Sequence, residues 1–320
     1  MRKLFVLALS ILVYAPASSA FANGPYNASA GVSAPPAVVA PRVEKQADGS
    51  VREVMETKPV ARDSYGNAAG SNHDLAVDGA FDGQTVAVIQ LYTGTDQGWP
   101  FDFKAPTAAL KEKGFSVYRW SNGVPSPKEL ASALEKSNQL WIISGDHTYL
   151  TAEHIAVIKK FFDAGHGLYI WGDNAPYNGD ANLVAQAVIG KTMVDEGSPG
   201  QQVLHLQPPT DLTKPGILPN HLITTGLEFL YEGHTVSILK DTTGLTPLIV
   251  GSDGKVVTAA YDHDGKRAVL DGGFTRLYME WKSAGTGRYV KNAAAWLANY
   301  ERFGAKVVAT SKPQPSTVGP

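Results

Sequence analysis

In the stretch SGDHTY, Asp146 and His147 stand side by side. A carboxylate beside an imidazole is a minimal acid/base pair, since the carboxylate selects the ring tautomer and favours its cation. Neighbouring residues at a strand end point apart, so a purely structural role is the competing reading. A second group lies in GDNAPYNGD: Asp173, Asn174, Tyr177, Asn178 and Asp180. Asp173, Asn178 and Asp180 carry oxygen donors suited to a hard cation. Their spacing matches no standard calcium loop, and Asp180 reads as a helix N-cap, so no metal is assigned. A third group, Asp96, Trp99, Phe101 and Asp102, follows an apolar run. Flat rings beside carboxylates and amides suit a sugar or other small polar ligand. Asp96, Trp99, Asp102, Tyr149, Asn174, Tyr177 and Asn178 are the candidate ligand contacts. Alternatively, Trp99 and Phe101 pack a loop and the aspartates cap helices. Arg276 follows DGGFT and reads as reaching the same rim, to pair with a carboxylate or an anionic ligand.

Other chemistry is excluded by composition. The 320 residues include no cysteine, which removes disulfides, thiolate metal sites and thiol nucleophiles. The eight histidines form no helical pair at i, i+4 and no HExxH. His154 falls in the first turn of a helix and reads as exposed. Asp262-His263-Asp264-Gly265 resembles the start of a calcium loop but lacks the later Glu, so it reads as a turn. The net charge is −2, from 28 basic and 30 acidic residues, and offers no basic field for nucleic acid. No cofactor is called for.

What would hold these groups together is an alternation of strands and helices. Val86 to Tyr92 is a continuous apolar run, the mark of a strand buried on both faces. Ala105 to Lys113 follows as a helix closing on Gly114. Phe115 to Trp120 is a second strand. Ser126-Pro127-Lys128-Glu129 is a capping box with Pro at N1. Gln139 to Gly145 is a third strand, followed by a helix capped by Thr151. Gly167 to Asp173 is a fourth strand, and Ala181 to Ile189 a fourth helix. This rhythm predicts a parallel sheet flanked by helices, with candidate residues at the strands' carboxyl ends. After Gly190 the pattern breaks into short strand candidates, Val203 to Leu206 and Thr235 to Leu239. VVTAAYD and KRAVLD then read as a hairpin around His263-Asp264-Gly265, adding antiparallel strands. A helix from about Gly287 to Tyr300 ends the core.

The ends differ in composition. Arg2 and Lys3, the apolar run Leu4 to Tyr14 and the small residues Ala20 and Ala22 read as a signal peptide over 1–22. Cleavage near Ala22 would leave a mature chain with no membrane span, in the periplasm or outside the cell. Residues 23–80 are poor in large apolar side chains and read as a flexible leader or linker. The domain is read as 81–304, with a disordered tail at 305–320.

The order strand, helix, strand, helix, strand-SGDH, helix, strand-WGDNAPY resembles the class I glutamine amidotransferase-like fold, in its trehalose-utilisation-like branch. His221-Leu222-Ile223-Thr224-Thr225-Gly226-Leu227 is similar to that branch's His-Pro-Ile-Thr-x-Gly-Leu segment, with Leu222 in place of Pro. DGGFTRLY before a terminal helix also fits. The resemblance implies a flavodoxin-like parallel sheet and a nucleophile elbow after the fourth strand. There Asn174 stands where the family's cysteine would be, and a carboxamide is no substitute for a thiolate. The partner His-Pro-Glu motif is missing; Glu232-Gly233-His234 has the reverse order. The resemblance thus implies the scaffold and not glutamine hydrolysis. The expected function is an exported, non-catalytic domain binding a small polar ligand, possibly a carbohydrate, or a protein partner. The alternatives are a glycan- or amide-directed hydrolase using Asp146, His147 and Asp173, and a structural module of a surface assembly.

Overall fold

The computed structural model describes residues 37–59, 67, 74–95, 98–121, 123–194, 200–207, 214–219, 221–281 and 285–309. The signal segment 1–22 and Asp96 lie outside the described residues. Two strands come first, β1 (Ala37–Lys45) and β2 (Val51–Pro59), paired antiparallel as a hairpin. Then follow β3 (Thr85–Gln90), α1 (Lys104–Glu112), β4 (Ser116–Ser121), α2 (Pro127–Leu134), β5 (Gln139–Ile143), α3 (Ala152–Asp163), β6 (Gly167–Trp171) and α4 (Gly179–Ile189). Short strands β7 (Met193–Val194), β8 (Val203–His205), β9 (Gly216–Ile217), β10 (Phe229–Tyr231) and β11 (Ile238–Leu239) occupy the irregular stretch. The chain closes with β12 (Thr246–Val250), β13 (Val256–His263), β14 (Lys266–Asp271), α5 (Thr286–Leu297) and α6 (Tyr300–Phe303).

One eight-stranded sheet runs β4-β3-β5-β6-β14-β13-β12-β9. Its first five strands pair in parallel. In chain order they are strands 2-1-3-4-5, the flavodoxin-like arrangement. The other three are antiparallel. The hairpin read from VVTAAYD and KRAVLD is present, with Asp264 and Gly265 both at positive φ, as a tight two-residue turn needs. Its second strand, β14, also completes the parallel set, which periodicity alone does not reveal.

The alternating side chains of the parallel strands feed two cores. Val88, Trp141, Tyr169 and Val269 pack with Leu110 of α1 and Tyr289 and Ala293 of α5. Ile89, Ile142, Ile170 and Leu270 pack with Leu130 of α2, Ile158 of α3 and Val184 of α4. The capping box forms at Ser126 and Glu129. Thr151 begins α3 as read, but His154 is buried, not exposed. Its Nδ1 accepts from the Thr151 N–H at 3.1 Å and its Nε2 lies 2.7 Å from the Pro125 carbonyl.

The segment read as a flexible leader is in part built into the structure. Besides the hairpin, Asn67 is buried and its Oδ1 accepts from the N–H of Glu228 at 2.6 Å and of Phe229 at 3.1 Å. Asp74 is buried against Lys113 at 2.8 Å, Lys291 at 3.2 Å and Arg288. Leu75 N–H donates to Asn292 Oδ1 at 2.9 Å. The packed part of the chain therefore starts upstream of Phe81. Its charged anchor, Asp74, escapes a reading based on large apolar residues. Among the described residues, no helix is long and apolar enough to cross a membrane.

Candidate functional site

Four segments meet at the carboxyl edge of the parallel strands. The first is the loop after β3. Gln90, buried at the strand end, donates through Nε2 to the carbonyls of Tyr92 at 2.9 Å and Phe101 at 2.8 Å, clamping both ends of the loop. Within it, Trp99 N–H donates to the Gly94 carbonyl at 3.0 Å. Gly94 has φ 63°, and a Cβ there would sit 1.9 Å from the Trp99 carbonyl, so the turn requires glycine. Phe101 is buried and stacks on Tyr278, with centroids 4.7 Å apart, which makes it a packing residue. Trp99 stays 45% exposed, its ring 5.0 Å from that of His234.

The second segment follows β6. Asp173 is only 1% exposed. Its Oδ1 accepts from Asn174 N–H at 2.8 Å and from Thr235 Oγ1 at 2.5 Å, while Oδ2 faces Thr275 N–H at 3.4 Å. Burial pushes its pKa up to about 7 against these hydrogen bonds, which act to lower it. The third segment, after β10, brings His234 and Thr235, with His234 N–H donating to Thr275 Oγ1 at 2.8 Å. The fourth is the 3-10 turn Phe274–Leu277 after β14. Gly272 lets it approach, since a Cβ there would lie 2.0 Å from the Ser237 carbonyl.

Between them lies a cavity of about 220 Å³ bordered by Tyr92, Trp99, Asp173, Asn174, Tyr177, His234, Thr235, Thr275 and Tyr278, among others. Of the residues singled out in the sequence, Trp99, Asp173, Asn174 and Tyr177 line it. Asp146, His147 and Tyr149 do not. They form their own exposed cluster, with Asp146 Oδ1 2.9 Å from both His147 Nδ1 and Tyr149 Oη. The hydrogen bond from His147, then that from Tyr149, holds the Asp146 carboxyl below its ordinary range. Asp102 is exposed and paired with Lys104 at 2.6 Å. Asn178 Nδ2 donates to Ser237 Oγ at 3.1 Å, outside the cavity lining.

Arg276 is a correction. It does not reach the rim, for its side chain is fully buried and its Nη1 holds Asp271 with both oxygens, at 2.7 and 2.6 Å. It also donates to the Glu232 carbonyl, and Tyr289 Oη donates to Asp271 at 2.6 Å. A buried guanidinium with a carboxylate and two hydroxyls around it is a core network with no free donor face to offer an anion. Asp180 lies inside the first turn of α4, and does not cap it: its Oδ1 accepts from Tyr149 N–H at 2.9 Å and Leu150 N–H at 2.8 Å. Ser144 Oγ accepts instead from Asp180 N–H at 3.1 Å. Among the described residues, no group of three or more His, Asp or Glu is placed to hold a metal ion.

Tyr92, His234, Thr235, Thr275 and Tyr278 were missed as site residues. Tyr92 was absorbed into the first strand, and His234 was noted only as part of a reversed motif. Tyr278, in DGGFTRLY, lay two residues beyond the arginine taken as the site's contact. The antiparallel extension that brings 232–236 to the rim leaves no periodic signal.

The strand order and the two helical layers make this a flavodoxin-like α/β fold with antiparallel strands added, and the turn carrying Asn174 follows β6 in a chain without cysteine. No family model matches the chain, and no curated protein matches it in sequence. Solved structures similar in fold include a putative ThuA-like protein from Parabacteroides merdae, at 13% identity and TM-score 0.42, over 73% of this chain and 94% of that one. A putative ThuA-like protein from Bacteroides uniformis gives 10% identity and TM-score 0.42, over 68% and 91%. An exo-β-1,4-mannosidase from Opitutaceae bacterium strain TAV5 gives 13% and 0.37, over 71% of this chain but only 37% of the mannosidase.

Proposed function

We propose that this chain is an exported binding domain whose amidotransferase-like fold receives a small polar ligand in the cavity at the carboxyl edge of its sheet, without covalent catalysis. The observation that carries the reading is the convergence of four segments on one opening bordered by aromatic rings, a carboxylate, an amide and hydroxyls. Ligand sites in open α/β sheets form at this edge. At about 220 Å³ the cavity is smaller than the ~300–1,000 Å³ of drug-sized sites, which favours a small molecule such as a monosaccharide or a compact polar solute. Asn174 at the elbow position and the absence of any thiol argue against glutamine hydrolysis. The hydrolase alternative would draw on Asp146, His147 and Asp173, and of these Asp173 borders the cavity, its pKa raised by burial to about 7. The exposed Asp146–His147 pair lies away from the cavity lining, which leaves Asp173 without the histidine that the alternative assigned to it.

The test is saturation-transfer NMR on the mature protein with a panel of monosaccharides, polyols and small charged solutes. A saturable signal that Trp99→Ala removes, while the melting temperature holds, is the expected result. Saturable binding that ignores Trp99→Ala, or no binding across the panel, sinks the proposal. Export is tested by the mass of the secreted chain, expected to begin at Asn23. A retained Met1 would refute it.

A further inference from the structure

We propose that the ligand of this cavity is a small organic cation, an alkylated ammonium held among tyrosine and tryptophan rings above the Asp173 carboxylate. The inference rests on the cavity being a ligand site, as read above, and names the ligand's charge.

The first observation is the wall chemistry. Tyr92 meets Tyr177 nearly at right angles, with centroids 5.4 Å apart, and Tyr278 at 31° and 6.0 Å. Trp99 closes another side. Rings at such different tilts form several walls instead of the single flat platform on which a sugar ring lies. An alkylated ammonium spreads its charge over C–H groups and gains from ring π-systems on more than one side, without needing a hydrogen-bond partner.

The second observation is the charge balance. Asp173 is buried at the cavity and has no cationic partner among the described residues; its contacts are the hydroxyls of Thr235 and Thr275 and two backbone N–H groups. Among the described lining residues His234 is the only basic side chain. Arg276, on the same turn as Phe274 and Thr275, is spent on Asp271. An anionic ligand would meet a buried acid with no cation beside it. A neutral polyol would find the Asp173 oxygens already occupied by protein donors. A cation supplies the one partner that the buried acid lacks.

Isothermal titration calorimetry of the mature protein with choline, and with its uncharged analogue in which carbon replaces the quaternary nitrogen, separates charge from shape. Choline is expected to bind saturably and the carbon analogue on the order of tenfold more weakly or less. Asp173→Asn and Tyr278→Leu are each expected to weaken choline by a similar factor. Because Asp173 joins three segments, its variant is read only if its circular dichroism and melting match the parent. The comparison of the two ligands on the unmodified protein needs no variant. Equal binding of choline and its carbon analogue overturns the proposal. So does saturable binding of a monosaccharide in the cavity with no response to choline, which would leave the ligand-site reading standing. Binding of neither defeats both.

Discussion

Asp74 and Asp173 both have carboxyl groups shut off from solvent, and they behave in opposite ways. Burial works to raise the Asp74 pKa, but hydrogen bonds from Lys113 and Arg288 and the charge of Lys291 bring it below the ordinary value. Asp173 has hydroxyl and amide donors only, and burial wins, to about 7. Asp173 lies deeper, and it also lacks the cationic partners that Asp74 has. At Asp74 three cations, Lys113 at the end of α1 and Arg288 and Lys291 of α5, converge on one carboxylate, which ties the chain before β3 to the core. At Asp173 the acid is fixed in place but left without a counter-charge, beside a cavity. The first arrangement is how a fold anchors a segment. The second, a perturbed acid in a cleft, marks a candidate binding site.

The largest expected effect comes from breaking the anchored side. Asp74→Ala removes the carboxylate from buried Arg288 and leaves Lys113 with Asp78 alone, and should cost about 3 kcal/mol in urea unfolding. A loss under about 1 kcal/mol would mean that the segment before β3 contributes little to the fold. Asp173→Asn probes the other side through pH. The native carboxyl binds a proton more tightly than the unfolded one, so between about pH 4 and 7 the native state holds more protons. Stability should therefore fall as pH rises through that window and level off above it, by at most on the order of 4 kcal/mol from this group. Asp173→Asn should flatten that slope. An unchanged slope in the variant would reassign the effect to Asp180 or Glu232, both also raised by burial.

A second titration runs with the opposite sign. His221, in the HLITTGL segment, begins a 3-10 turn by accepting from Ile223 N–H at 3.2 Å and packs edge-on to Trp296. Burial, with the charge of Arg267, pulls its pKa down to about 4. Here the unfolded state binds the extra proton, so stability should be lost as pH falls from about 6.5 towards 4. His221→Gln should lessen that loss, measured as melting temperature between pH 4 and 7. A variant as acid-sensitive as the parent would remove His221 from the account.

The parallel half of the fold was legible because each strand is buried on both faces and each helix carries its own cap, as at Ser126 and Glu129. The site was legible only in part. Trp99, Asp173, Asn174 and Tyr177 follow parallel strands, and parallel strands deliver their loops to one edge. Asp146 follows such a strand too, yet its loop turns outward, because Asp180 captures the N–H groups of Tyr149 and Leu150. A bond between residues about thirty positions apart has no local signature. Arg276 was misread for a related reason. A positive charge in a polar motif looks solvent-facing until its partner, Asp271, is placed behind it by the same turn. Asp74 was invisible to a reading that weighed only apolar content.

The smallest expected effect on stability is at Trp99, and it bears directly on what the uncompensated side of the comparison is for. The ring is 45% exposed and its one ring partner is His234, whereas Phe101, two residues on, is buried against Tyr278 and Phe103. The loop's shape is set by Gln90 and Gly94, through bonds to backbone carbonyls that do not involve the indole. Truncating Trp99 should thus cost about 1 kcal/mol or less, while Phe101→Ala should cost about 3–5 kcal/mol as a buried aromatic does. If the cavity is a ligand site, binding should follow the reverse order: Trp99→Ala weakens it with the fold intact. Should Trp99→Ala destabilise the domain as much as Phe101→Ala, the indole is part of the core. The cavity would then lose the side chain that most distinguishes it from a gap between packed loops.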